Sequence, residues 1–139
     1  MASIFTRIIN GELPGEIVYE TAGEVALLDI NPLSDGHTLV VPKLEVANFD
    51  ELPPAHLHGL MATAQHVVRG VTRAMGTPHY NLILNNGPAA GQVVFHVHLH
   101  IVPRYPGVRR DAPRSRLGEA DRVRFGARIR QALAELGEG

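Results

Sequence analysis

The stretch Phe95-His96-Val97-His98-Leu99-His100-Ile101-Val102 constrains the fold more than any other part of the chain, because polar and apolar residues alternate there with period two. That is the repeat of a β-strand with two chemically different faces, and a strand over roughly Val93 to Val102 is expected. Phe95, Val97, Leu99 and Ile101 should enter the core. His96, His98 and His100 should line the opposite face at steps of about 6.6 Å. Buried imidazoles are poor packing material, since each needs hydrogen-bond partners. A row of three therefore points to chemistry, and two kinds could use it: nucleophilic catalysis, or coordination of a metal by neutral rings.

The rest of the chain supplies partners for that strand. Ile4, Ile8 and Ile9, with Phe5, form a short helical stripe that Gly11 and Pro14 would end. Glu16 to Tyr19 and Val25 to Asp29 are expected as a hairpin, followed by a strand over Thr38 to Val41 closed by Pro42. Leu57, Leu60, Met61, Ala64, Val67, Val68 and Val71 then share one face of a long helix that starts near Pro53 or Pro54. A strand over Tyr80 to Leu84 precedes the histidine strand, and Phe125, Ile129, Leu133 and Leu136 mark a last helix beginning at Gly118. Five strands with helices first, in the middle and last imply an α+β fold with a five-stranded, mostly antiparallel sheet. At 139 residues, the chain is expected to be one domain spanning 1–139, with a core over about 3–105 and a loop and terminal helix over 106–139.

Composition narrows the functions. The formal charge of −1 excludes a bulk cationic field for nucleic acid or an anionic membrane, and the absence of cysteine excludes disulfides, thiolate metal sites and a cysteine nucleophile. MASIFTRIINGELPG lacks the apolar region of a secretory signal, so a cytoplasmic location is expected. His56, His58, His66 and His79 lie on or beside the central helix at no single ligand spacing and are expected at the surface.

The flank of the histidine strand suggests an anion. Asn85-Asn86-Gly87-Pro88-Ala89-Ala90-Gly91-Gln92 leads directly into it, and glycines let backbone N–H groups approach a phosphate closely. An imidazole with a pKa of about 6.5 is largely neutral at pH 7 and offers a lone pair without a strong activating base. Attack on phosphorus would give a nucleotidylated imidazole that water can open.

With this motif, the chain resembles the histidine triad family, whose signature is three histidines alternating with apolar residues. The likeness extends through Ser3 to Gly11, Leu27 to Pro42 and Asn85 to Arg104, and is strongest to the small nucleotide-binding branch. The resemblance implies that His98 is the nucleophile and that a carbonyl at His96 orients its ring. It also implies that His100 meets the phosphate and leaving group, and that His37 supports His96 from an adjoining strand. Asp29 would hold the ribose, Ile4, Phe5, Ile8 and Ile30 would surround the base, and Asn85, Gly91 and Gln92 would hold the phosphate. The implied activity is nucleotidyl hydrolysis or transfer on purine nucleoside phosphoramidates, acyl adenylates or dinucleotide polyphosphates, by a homodimer joined through Pro53 to Met75 and Tyr80 to Leu84. No cofactor is implied.

Departures from the family matter too. Ser3, Thr6 and Glu45 stand where some members place zinc ligands, so no metal is expected at His96. Val93 replaces a serine that can touch phosphate. Arg109, Arg110, Arg114 and Arg116 are expected in a solvated loop. Two other functions stay open: a purine-nucleotide-binding or scaffold protein with little turnover, and a metal site on the HxHxH strand. The latter would want a nearby carboxylate, which Ile101-Val102-Pro103-Arg104 does not offer.

Overall fold

Thr21 turns the chain back on itself. Its hydroxyl accepts the N–H groups of Gly23 and Glu24 at 3.2 and 2.9 Å, so β1 (Ile17–Glu20) and β2 (Glu24–Leu28) form an antiparallel hairpin. In the computed structural model, which describes residues 1–137, β3 (Thr38–Pro42) pairs with β2 along its whole length, from Glu24 opposite Pro42 to Leu28 opposite Thr38. β4 (Tyr80–Leu84) and β5 (Leu99–Pro103) complete an antiparallel sheet of order β1-β2-β3-β5-β4. The expected fold class is the one found. Glu138 and Gly139, the end of the expected 1–139 domain, lie outside the described residues.

Each face of the sheet has its own cover. Val18, Ala26, Leu28, Val40, Leu99 and Ile101 face α2 (Pro54–Met75) and α3 (Glu119–Leu136) in the larger core. Each fully buried aliphatic side chain there contributes about 1.5–3 kcal/mol. α2 begins on Pro54, where a missing N–H costs nothing, and stops at Gly76, whose φ of +70° suits a residue without Cβ. A Cβ at Gly70 would run into the side chain of Leu133, so this glycine sets how closely α3 lies against α2. The opposite face of the sheet carries Val25, Leu27, Leu39 and Val41, covered by Phe5 from the six-residue α1 (Ile4–Ile9). So small a helix leaves room beside it.

Four expectations need correction. β5 begins at Leu99, not Val93, because Val40 of β3 and Leu84 of β4 both pair with Leu99 and the ladder ends there. Residues before it are held differently, by Val97 N–H on the Val46 carbonyl at 2.8 Å. Phe95 is consequently 53% exposed instead of entering the core, while Val97, Leu99 and Ile101 do enter it. His66 is buried rather than at the surface, packed on Tyr19 with ring centroids 5.0 Å apart, and Met61 of the expected apolar stripe is exposed. His66 is covered because β1 brings Tyr19 over that side of α2, whereas Met61 lies outside the arc that the larger core covers. No helix among the described residues is long and apolar enough to cross a membrane.

Candidate active site

The short cover leaves a cavity of about 690 Å³ beside α1, and the histidine row opens into it. Its wall includes Ile4, Phe5 and Ile8 from α1, Asp29 and Ile30 after β2, Asn85 and Gly91 from the connection into the triad, and His98 and His100. Ile4 and Ile30 are 46% and 43% exposed, so they rim the cavity instead of filling the core. The connection after β4 can follow its course because Gly87 and Gly91 take φ near +90°, a region that favours glycine. A Cβ on Gly91 would sit 3.8 Å from the Asn85 carboxamide, which places those two residues side by side.

Hydrogen bonds fix the tautomers of His37 and the three triad rings. His98 Nδ1 lies 2.7 Å from the His96 carbonyl, an atom that can only accept, so Nδ1 carries the proton and Nε2 keeps its lone pair. His37 Nδ1 accepts the Leu33 N–H at 3.0 Å, so His37 is protonated at Nε2, which donates to His100 Nδ1 at 3.0 Å. His100 must then carry its proton on Nε2. Neighbouring rings, with centroids 4.8 Å apart, thus have opposite states at Nε2: bare on His98, protonated on His100. His96 donates from Nε2 to the Pro42 carbonyl at 2.7 Å, taking with its side chain an acceptor at the end of β3.

Burial keeps these rings neutral. Desolvation is the largest influence on all four histidines and lowers each pKa, to about 3 for His37 and about 4 for His100. For His100 the proximity of His98 and Arg114 adds to the effect. Asp29 is raised by burial, opposed by the Asn31 N–H on its Oδ1 at 2.8 Å and by Arg114.

The structure brings most expected site residues together and places others elsewhere. His37 supports His100, not His96. It precedes the first residue of β3, whereas His96 reaches Pro42, the last. Gln92 is buried and turned inward, its carboxamide accepting Gly87 N–H and donating to the Ala47 and Val94 carbonyls, so it staples the connection. Arg114, expected in a solvated loop, lines the cavity instead, with Nη1 2.8 Å from the Asn31 carbonyl and 3.5 Å from Asp29 Oδ2. Nothing in the local sequence distinguishes it from Arg109, which pairs with Asp111 at the surface. The return of the chain, through Leu117 N–H on the Ile30 carbonyl, selects Arg114.

A HIT domain model matches residues 10–107, and the chain belongs to the histidine triad family. An adenylylsulfatase of Arabidopsis thaliana is 42% identical over 73% of the chain, which spans 51% of that longer relative. An adenosine 5'-monophosphoramidase of Schizosaccharomyces pombe is 41% identical, with 75% of each covered. The crystal structure of a Zn-bound histidine triad family protein from Mycobacterium smegmatis superposes with a TM-score of 0.86 at 36% identity, covering 98% of this chain and 96% of that one.

At neither of two candidate places among the described residues do the side chains fit a metal. Beside His96 stand Ser3, Thr6 and Glu45, and both ring nitrogens of His96 are already engaged, Nδ1 by the Ser3 hydroxyl at 2.6 Å. Asp29, His37 and His100 offer a second cluster, with ligand atoms within 4.8 Å of one another. A metal there would need a lone pair on His37 Nε2, yet that atom holds the ring's only proton while Nδ1 accepts from Leu33. Prolonged treatment with EDTA is therefore expected to leave turnover and melting temperature unchanged. Stoichiometric zinc in purified, untagged protein, or activity restored by zinc, would count against this.

Proposed function

We propose that this chain is a nucleotidyl hydrolase or transferase acting at the α-phosphorus of purine nucleoside phosphoramidates, acyl adenylates or dinucleotide polyphosphates. The observation that carries the reading is the pair of opposite Nε2 states on His98 and His100 in one cavity wall. The relatives named as acting on adenylyl sulfate and on an adenosine phosphoramidate favour an adenylyl group. In the first step the His98 Nε2 lone pair forms a P–N bond as the bond to the leaving group breaks. The departing electron pair collects the proton that His100 presents, and a sulfate or carboxylate needs none. Water then opens the P–N bond, releases the nucleoside monophosphate and returns the lone pair to His98, its surplus proton restoring His100 where an amine has left and passing to solvent where a sulfate or carboxylate has. Of the residues that line the cavity, Asn85 and the Gly91 backbone would take the phosphate oxygens, Asp29 the ribose, and Ile4, Phe5, Ile8 and Ile30 the base.

The experiment is rapid quenching at neutral or alkaline pH with an adenosine phosphoramidate, followed by peptide mass spectrometry. An adenylyl group on His98 is expected. An adduct on another histidine, or inversion at a chiral α-phosphorus, would replace this mechanism with another. The alternative of a purine-nucleotide-binding or scaffold protein with little turnover predicts at most a trace of product in a single-turnover mixture.

The reading includes a two-fold dimer formed through α2 and β4. β4 is an edge strand with Tyr80 and Leu82 more than 40% exposed, and Met61 is similarly open on α2. Pairing across a two-fold axis would cover an edge that otherwise invites aggregation. Sedimentation at micromolar concentration is expected to show twice the monomer mass, and a monomer there would refute the dimer.

A further inference from the structure

We propose that Ser3 and Glu45 are positioning residues for the triad, acting on His98 through His96 and through α1. The inference rests on the functional reading above only for its kinetic readout. Ser3 Oγ lies 2.6 Å from His96 Nδ1, and since His96 Nε2 donates to the Pro42 carbonyl, the serine hydroxyl must be the donor. With the Pro42 carbonyl fixing the tautomer, that second contact holds a ring with no solvent exposure in one orientation. The carbonyl of the same residue accepts His98 Nδ1–H and leaves the reactive nitrogen bare. Ser3 is thus one residue removed from the nucleophile.

Glu45 ties this contact to the helix beside the cavity. Its Oε1 accepts the Ser3 N–H at 2.9 Å and the Thr6 hydroxyl at 2.6 Å, gripping the first turn of α1 from outside. Between those anchors stands Phe5, whose ring meets His98 edge-on with centroids 4.9 Å apart and His96 at 5.8 Å. Ile4 and Ile8 of the same helix line the cavity. One carboxylate oxygen therefore holds in register the wall proposed to receive the base and the imidazole that orients the nucleophile. The two cannot shift independently.

Ser3 is also the N-cap of α1, accepting the Thr6 N–H at 3.1 Å, so a purely structural role must be separated from positioning. Ser3→Gly does this, because glycine at an N-cap costs only a few tenths of a kcal/mol yet cannot donate to His96. Three quantities are measured: the single-turnover rate with an adenosine phosphoramidate, the AMP dissociation constant, and the His96 Nδ1 resonance from nitrogen-detected NMR. Ser3→Gly is expected to slow single turnover about 10-fold, with AMP affinity within about twofold and the His96 Nδ1 resonance moved to that of an imidazole nitrogen without a donor, while the Pro42 carbonyl keeps the proton on Nε2. Ser3→Thr, which keeps the donor, restores rate and resonance. Glu45→Ala is expected to slow turnover and weaken AMP several-fold together, because the whole helix loosens, and Glu45→Gln, which keeps an acceptor oxygen, recovers both. A Ser3→Gly protein with wild-type rate and Nδ1 resonance would overturn the proposal. So would a slow one that Ser3→Thr fails to rescue. If the wild type itself turns nothing over, the functional reading fails while the Nδ1 measurement still decides the positioning role.

Discussion

His98→Asn is expected to lose turnover by a factor on the order of 10³ or more while keeping AMP affinity within a few-fold. The cavity wall that would hold the nucleotide comes from α1, Asp29, Asn85 and Gly91, none of which depends on the imidazole, whereas the covalent route uses its Nε2 alone. Asparagine fills similar space and can still donate to the His96 carbonyl, so the variant should fold. His100→Asn is expected to divide its effect by leaving group: a large loss with an alkylamine, which must be protonated to depart, and a small one with a sulfate or carboxylate. Steady-state rates on both substrate kinds, with AMP binding by calorimetry, test the pair. A fully active His98→Asn protein would remove the ring from the chemistry.

The second large effect is on stability in acid. His37 and His100 are held neutral in the fold, with pKa values of about 3 and about 4 against an ordinary 6.5. Between those values the unfolded chain binds more protons than the native one, so stability falls as pH falls through 6.5 and keeps falling toward 4. Above pH 7 the contribution is flat. Each of these histidines costs about 1.4 kcal/mol per pH unit inside the window, and together they remove about 4 kcal/mol at pH 5. His96 and His98, lowered in the same direction by burial, add to the loss. Urea midpoints at pH 8, 7, 6 and 5 should coincide for the first two and drop steeply for the last two. A midpoint unchanged down to pH 5 would mean that the rings titrate normally. Because His98 is also lowered, turnover should hold its plateau somewhat below pH 6.5 before protonation removes the lone pair.

The sequence revealed the strands and helices well, because they carry a clean period and a breaker at or beside an end: Pro42 closing β3, Gly76 after α2, Gly118 before α3. It revealed which histidines share a face, since alternation survives even where 96 to 98 leave the ladder. It could not reveal partners set by register. That His37 meets His100 depends on Thr38 lying opposite Ile101, a pairing no single strand encodes. It did not disclose the burial of His66, which depends on β1 bringing Tyr19 against its ring, nor the exposure of Phe95, which depends on where neighbouring strands run out. Arg114 was hidden for a third reason. Among several arginines in an irregular loop, only the path of the backbone decides which one turns inward.

That loop, from Arg104 to Gly118, is tied down at its ends by Arg104 N–H on the His79 carbonyl and Leu117 N–H on the Ile30 carbonyl, with no helix or strand between. In a lineage, such a stretch accumulates substitutions at little cost to folding, while residues 96 to 100 answer to the core and the chemistry at once. Substitutions within that one surface stretch are therefore expected to reshape the Arg114 side of the cavity and to leave in place the wall that α1 and the triad build.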